Sequence, residues 1–485
     1  MPSLTKIKQV TEIALQDFPE IQARYLAGDP TVTAPIQVMQ HMLAELGRDV
    51  DVSELEPFIK SRESTILADA SNKGILPKGT ATQHRVSIKN NGTERVTMQS
   101  GRVFEDGQGR VWRFIQNAEI PAGDEIRVLA EQSQERIVVK TITETLPFFS
   151  FQLPITEDMA LCSLSVKDNE GDLYSFVTRW MNAQAGEKAI TLKTDTLRSL
   201  TLEFGDSERT GHTLQANTEL SITIVETDGE LDAANLSDAM LVETYTAKEG
   251  KLRIKFEAGG LVRMGANPLS IDQMRLLASY PTHDDNAVFL GNFEFLVRKN
   301  FMSRSYFLNV WNESIHETHY GASVANINHL FVSITPKNSG EYALICGEVA
   351  NLIAQADSLY GNSNIVFKPA EERKFRIKVN AVLSPVHDVD AVKEQIKSLL
   401  LSHYGKEQIA ASYYLQNGFN LLEISQLLQR DVLAFQDRQS NLSIETEDLQ
   451  ENPVKPHHWL YMDASTIEID IQRSSLSGGS RWTVL

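Results

Sequence analysis

Cysteine is scarce in this 485-residue chain: Cys162 and Cys346 lie far apart and form no CxxC pair. That excludes a disulfide framework and a thiolate metal cage, and both residues read as small buried hydrophobes. Basic residues are in deficit, with 46 against 64 acidic ones and a formal charge of −18. Such a balance argues against non-specific attachment to nucleic acid or to an anionic membrane surface. No apolar run approaches the ~20 residues that span a bilayer. The opening MPSLTKIKQVTEIALQDFPE carries acids where a signal peptide has an unbroken apolar core. The expectation is a chain made and kept in a cytoplasm, with neither membrane nor nucleic acid as partner.

Signatures of catalysis are missing as well. There is no GxGxxG and no GxSxG. GILPKGT (residues 74–80) has two glycines at phosphate-loop spacing, but Gly79 is followed by Thr80 and Ala81 where that loop needs Lys and then Ser or Thr. It reads instead as a turn, with Gly74 taking a positive φ and Pro77 blocking helix continuation. Phe204-Gly205-Asp206-Ser207 imitates the nucleophile block of one class of ester hydrolases. No histidine here follows an Asp by three residues, so the Ser207 proton has no placed acceptor. A polar hairpin turn accounts for it. In NESIHETHYG, His316 and His319 are three apart, where the zinc-protease helix needs four with the Glu between, and Glu313 precedes both. His457-His458 and His283-Asp284-Asp285 read as surface loops. No enzyme, no catalytic residue, no cofactor and no metal are expected.

What is present is a change of period along the chain. Ile36, Met39, Leu43 and Leu46 recur at helical spacing, with Pro35 near the start of that helix and Gly47 at its end. Ser53 and Glu56 form a capping box for a second helix running to about Asn72. From Thr80 to about Gly265 the period is two: Leu200, Leu202, Phe204; Leu220, Ile222, Ile224; and Leu252, Ile254, Phe256 alternate with polar neighbours. Asn91-Gly92, Asp106-Gly107 and Asp228-Gly229 supply turns. Further on, Ser270 and Gln273 cap a helix stopped by Pro281, and a short helix through Glu294 and Arg298 leads to a strand through Phe307 and Val310. A strand at Leu330–Ile334, a helix at 341–357, a strand through Phe375, Ile377 and Val379 and a helix capped by Asp388 follow. A helix capped at Asn420 and an alternating strand at Ile467, Ile469 and Ile471 close the chain.

At this length the chain exceeds a single core. The fold class is α+β multidomain: N-terminal helices (1–75), β-rich modules (76–150 and 151–265), an α+β module (266–404) and a C-terminal helix and strand (405–485), the C-terminal part being ferredoxin-like.

Three stretches resemble one family, the baseplate J-like wedge proteins of contractile phage tails. They are residues 58–92, a helix, turn and strand; residues 270–313; and the Phe-Gly-Asp turn and strand of residues 204–224. In the second, Arg275 sits where the family's helix bears an Arg, whereas Asn286-Ala287-Val288 and Asn292-Phe293 stand where the family has Arg-Ala-Val-Thr and Asp-Tyr. FPEIQARYLAGDP (residues 18–30) also resembles the related component of type VI secretion baseplates.

The resemblance implies a structural subunit of the virion tail baseplate, assembled in the host bacterial cytoplasm. Two copies in different conformations would join one copy of a second wedge protein, and six wedges would ring the hub and meet hub or sheath-initiating proteins. N-terminal helices would enter a bundle with the second wedge protein through Ile36, Met39, Leu43 and Leu46. Copies would pair through Val389, Val392, Ile396, Leu399, Leu427 and Leu428. Both apolar stripes are also readable as core. A ring of one kind of chain needs two distinct self-contacts, each of roughly 1,200–2,000 Å². Joints at 146–154 and 261–268 would let modules reorient and trigger sheath contraction. Two alternatives stay open: the equivalent component of a type VI secretion system or phage-derived tail particle, and a β-rich adhesin or carbohydrate-binding protein with exposed aromatics on a sheet face.

Overall fold

The computed structural model describes residues 4–55, 62–195, 198–278, 280, 290–361, 364–437, 440–449 and 451–473. The chain is α+β and multidomain, as the sequence pattern predicts.

Three helices lead: α1 (Leu4–Leu15), α2 (Pro19–Leu26) and α3 (Pro30–Leu55). Pro30, not Pro35, opens α3, and Pro35 lies inside it. The helix runs on through Gly47 and Ser53, so Ser53 is an interior residue and not a cap; Glu56 lies outside the described residues. Local cap signals lose here because one continuing helix satisfies the backbone of residues 30–55. The next helix, α4 (Glu63–Asn72), ends where expected. Gly74 has φ +67°, and the Ile75 amide donates to Ala70 O at 2.8 Å, a left-handed C-terminal turn.

A closed antiparallel barrel follows, in the order Gln83–Asn90, Leu252–Arg263, Asp238–Leu241, Val103–Asp106, Val111–Phe114, Glu125–Glu131. Alternation fills its interior. Val86 and Ile88 point in while Arg85 and Lys89 point out, and Phe104 packs tilted against Phe114 (ring centroids 4.7 Å) and Trp112 edge-on against Phe256 (4.8 Å). Asp106 is buried, which pulls its pKa up. Hydrogen bonds from Trp112 Nε1 (3.0 Å), Arg110 Nε (2.7 Å) and two amides outweigh that and hold it below the ordinary value.

The barrel is discontinuous in sequence. Between Glu131 and Asp238 the chain builds a second unit, a three-stranded sheet (Gln134–Thr141, Glu219–Thr227, Ala160–Lys167) and a four-stranded one (Ser175–Phe176, Ala189–Thr194, Leu200–Phe204, Ser150–Gln152). Leu202, Phe204, Ile222 and Ile224 share one buried core between them. The modules expected at 76–150 and 151–265 are therefore nested rather than consecutive. Period-two alternation marks a strand but not its partner, so the nesting leaves no mark in the sequence.

Helix α5 (Ile271–Ala278) opens with the expected reciprocal cap: Ser270 N donates to Gln273 Oε1 (2.9 Å) and Gln273 N to Ser270 Oγ (3.2 Å). Pro281 and residues 286–288 lie outside the described residues. With α6 (Leu290–Phe301), α5 packs on α4 through Leu67, Ala70, Leu277 and Phe295.

The strand–helix series beyond divides between two sheets. Ser305–Asn312, Leu330–Pro336 and Ile365–Phe367 form the first, packed against α6 and α8 (Tyr342–Ala356), with α7 (Glu313–Tyr320) following its first strand. Ile377–Leu383 is the centre of the second, between Asn441–Thr446 (antiparallel) and Ile467–Arg473 (parallel). Helices α9 (Val389–Tyr404, capped by Asp388) and α10 (Leu421–Asp431, capped by Asn420) share its core. One core thus spans the 404/405 boundary. Buried ion pairs join the units: Glu341 accepts from the Met264 amide at the barrel's end (2.6 Å) and from Arg304 (3.2 Å), and Arg304 also reaches Glu348 (2.5 Å).

Candidate interaction surfaces

Helices α1–α3 meet one another, with Leu15 and Gln40 buried, yet leave an unusual amount of apolar surface outside. On α3, Val38, Met39, Met42 and Leu43 are 49–67% exposed, and their i, i+4 spacing sets them on one face. Val10, Ile13, Phe18, Ile21 and Leu26 of the flanking helices and turn are exposed too. Of the expected bundle residues, Met39 and Leu43 lie on this face, Ile36 is half-buried, and the Leu46 side chain lies outside the described residues. The Gln40 amide is 2% exposed and makes no hydrogen bond, a cost that a core selected only for folding would avoid.

The pairing stripe is placed differently. Val392, Ile396, Leu427 and Leu428 are buried in the core of the chain's own C-terminal sheet, and Leu399 packs against it; Val389 is half-buried. Of the two readings of this stripe, core or pairing of copies, these positions follow the first. Helical periodicity finds an apolar face but cannot tell a sheet of the same chain from a second chain.

The two expected joints are strand-paired. Within 146–154, Phe148 N donates to Gly205 O (3.0 Å) and Leu153 N to Leu200 O (2.8 Å), and residues 150–152 form a strand of the inserted unit. Within 261–268, Leu261 and Arg263 pair with His84 and Gln83, and Ala266 exchanges amide bonds with Thr80 (2.9 and 2.8 Å). The true crossings between barrel and insertion are at residues 131–134 and 227–238, and the first is locked to the second. Gln132 and Thr227 are fully buried. Thr227 Oγ1 donates to Gln132 Oε1 (2.7 Å), Asp228 N to the same oxygen (3.0 Å), Gln132 Nε2 to Asp228 Oδ2 (2.9 Å), and Gln132 N to Thr82 O (2.8 Å). Asp228-Gly229 is thus part of a crossing, not a hairpin.

The residues weighed for chemistry sit in structural roles. Ser207 is in the Asp206–Thr210 turn, where its Oγ accepts from Thr213 N and its N donates to Thr213 Oγ1, both at 2.8 Å. Glu313 accepts from Asn328 N. His316 is buried in a stack with Phe331 (centroids 3.8 Å) and Tyr320 (4.4 Å), its Nδ1 accepting from Trp311 Nε1 (3.3 Å). His319 contacts Tyr414 Oη (3.3 Å). Glu313, His316 and His319 therefore do not converge. Cys162 and Cys346 are half-buried, and burial raises both thiols. His283-Asp284-Asp285 lies outside the described residues.

His457 and His458, read as a loop, instead join α7 to the C-terminal unit with Glu371. His457 Nε2 donates to Glu371 Oε2 (3.2 Å), leaving Nδ1 to accept from Tyr320 Oη; His458 Nδ1 accepts from Lys455 N (3.1 Å), which puts its proton on Nε2, 3.8 Å from Glu371. Both imidazoles spend their lone pairs on protein donors, so this trio offers one carboxylate and no free nitrogen to a metal ion. The other acidic group, Asp168, Glu170 and Asp172, is filled by Lys188, whose Nζ lies 2.6, 3.4 and 2.7 Å from the three. Sequence reasoning missed the histidine junction because its members, such as Tyr320 and His457, 137 positions apart, meet only in the fold.

No protein-family model matches the chain. No curated protein matches it either. Among solved structures it is similar to a chain of the anti-feeding prophage baseplate: 10% identity, 95% of this chain and 90% of that chain covered, TM-score 0.30. It is also similar to a chain of the type VI secretion system TssK-TssF-TssG baseplate subcomplex: 9% identity, 70% and 96% covered, TM-score 0.29. Scores of this size carry neither a shared fold nor a function.

Proposed function

We propose that this chain is a structural subunit of the baseplate wedge of a contractile phage tail. The observation that carries the reading is the exposed apolar face of α1–α3, the element that the sequence resemblance assigns to a bundle with a second wedge protein. Monomeric proteins rarely leave such a face to water, and an amphipathic helix in a partner's groove is the ordinary way to cover it. The body behind it is built to transmit force rather than to turn over a substrate. Its crossings are buried and hydrogen-bonded, so the chain reorients as one piece and motion during contraction occurs between chains. Two copies per wedge join hub or sheath-initiating proteins in the virion tail baseplate, assembled in the host cytoplasm; the equivalent subunit of a type VI secretion system or tail-like particle has the same architecture, and genomic neighbours decide between them.

The adhesin reading loses ground. Among the described residues, the exposed large aromatics are Phe18, Phe148, Phe176 and Tyr245, scattered over a turn, loops and a two-residue strand, with no sheet face that gathers them.

Immunogold labelling of particles from cells carrying the gene tests the proposal. Label at one end of the tube, below the sheath, supports it; unlabelled particles with the protein free in the soluble fraction refute it.

A further inference from the structure

Helices α1–α3 form a leader that buries little of itself. Of the side chains described between residues 7 and 43, only Leu15 and Gln40 are buried. Helices α2 and α5 both have eight residues, yet α5 buries Met274 and Leu277 and α2 buries none. Among the described residues, Ile66 is the first to belong to a buried apolar cluster. Most helical stability in proteins comes from such burial, and isolated helices shorter than roughly 12–15 residues are marginal in water. With 12 and 8 residues, α1 and α2 fall at or below that length.

The longer helix is weakened from within. Pro35 lies past the first turn of α3, where it removes the amide that would donate to Thr31 O. One heptad apart on the same helix, Thr33 and Gln40 carry buried polar atoms: neither Thr33 Oγ1 nor either side-chain amide atom of Gln40 has a hydrogen-bond partner among the described residues. Each opposes closure of the helices by its desolvation cost.

Polar contacts do not offset this. Those of the leader are local: Arg24 meets Asp29 (2.6 Å) and Thr31 (3.1 Å), and Thr11 Oγ1 donates to Ile7 O (2.8 Å). Among the described residues, no hydrogen bond or ion pair ties residues 7–43 to the barrel, the insertion or the C-terminal unit. The body behind is interlocked instead, by Thr227 on Gln132 and by Arg304 on Glu341. Parts of one chain that differ so much in burial and bonding open with very different free energies.

We propose that the leader is a local folding unit: in the free chain α1–α3 unfold and refold many times while the barrel, the insertion and the C-terminal unit stay folded. Its use in assembly rests on the baseplate reading. A partner helix laid on Met39 and Leu43 orders the leader as it binds, and the cost of that ordering makes the contact weaker than its area suggests.

Hydrogen exchange of the full-length chain, read by mass spectrometry at pH 7, tests the proposal. Amides of residues 7–43 are expected to exchange at least about a hundredfold faster than those of the barrel strand Gln83–Asn90. Gln40→Leu replaces the unpaired amide with an apolar group of similar size and should slow leader exchange about tenfold, leaving the barrel unchanged. Gln37→Leu, at an exposed position of the same helix, should change neither by more than about threefold. A leader that exchanges less than about a hundredfold faster than the barrel, or one in which Gln40→Leu acts no more strongly than Gln37→Leu, overturns the proposal. The free chain is used throughout, so this result and the immunogold result fail separately.

Discussion

Thr227 Oγ1 donates to the side-chain carbonyl of Gln132 at 2.7 Å, joining the strand that leaves the barrel to the strand that returns toward it. Replacing Gln132 with Ala leaves the half-buried Asp228 amide without its acceptor, while the Thr227 hydroxyl keeps the Gln132 backbone carbonyl (3.0 Å). We expect a loss of about 1–3 kcal/mol, from one unsatisfied amide. The urea midpoint of the purified chain measures it, and an unchanged midpoint would show that the crossings are not locked.

Acid should loosen the junction of α7 with the C-terminal unit. Burial holds His316 and His458 at about 4 and lowers His319 and His457, and Lys368 and Lys455 add repulsion while Glu371 is the facing acid. The folded state therefore binds fewer protons than the unfolded one between about pH 6.5 and 4. Stability from these groups is complete above pH 6.5 and is lost as pH falls toward 4. Urea unfolding at pH 7.5 and 5.0 checks the sign, and His316→Phe should flatten the dependence.

The two apolar stripes should respond in opposite ways. Met39→Ser with Leu43→Ser should leave the melting temperature unchanged and abolish co-purification with the second wedge protein. Ile396→Ala should cost about 2–5 kcal/mol, as for a fully buried side chain. If the first pair instead melts the chain, that face is core.

Ser207→Ala tests the hydrolase alternative. The expected result is a loss of about 1 kcal/mol from the Thr213 contact and no change in hydrolysis of p-nitrophenyl acetate. A drop in turnover would restore Ser207 as a nucleophile.

Elements with a local cause were legible in the sequence. The Ser270–Gln273 box, the Asp388 and Asn420 caps, the Gly74 turn and the alternating strands all appear where residue chemistry puts them. What was not legible is whatever depends on partners distant in sequence: that residues 83–90 pair with 252–263, that Ile396 faces its own sheet, that His457 meets Tyr320. Pro35 and Ser53 misled for the converse reason, since a propensity of one residue yields to the hydrogen-bonded continuity of a long helix. On the surfaces, the apolar stripe of α3 was visible, but its exposure was not.

The nested barrel also fixes an order of events during synthesis. The strand Gln83–Asn90 leaves the ribosome early, but one of its two neighbours, Leu252–Arg263, is made only after the whole insertion. Until then the barrel has an open edge, while the insertion already holds every strand it needs. The sandwich is thus the first part able to fold, and the barrel waits for it. An arrested nascent chain with residue 235 just outside the ribosome would carry a finished inserted unit flanked by barrel strands with an unpaired edge. Protease protection of such arrested chains would begin at residues 134–227 and spread to 83–131 only after residue 263 has emerged.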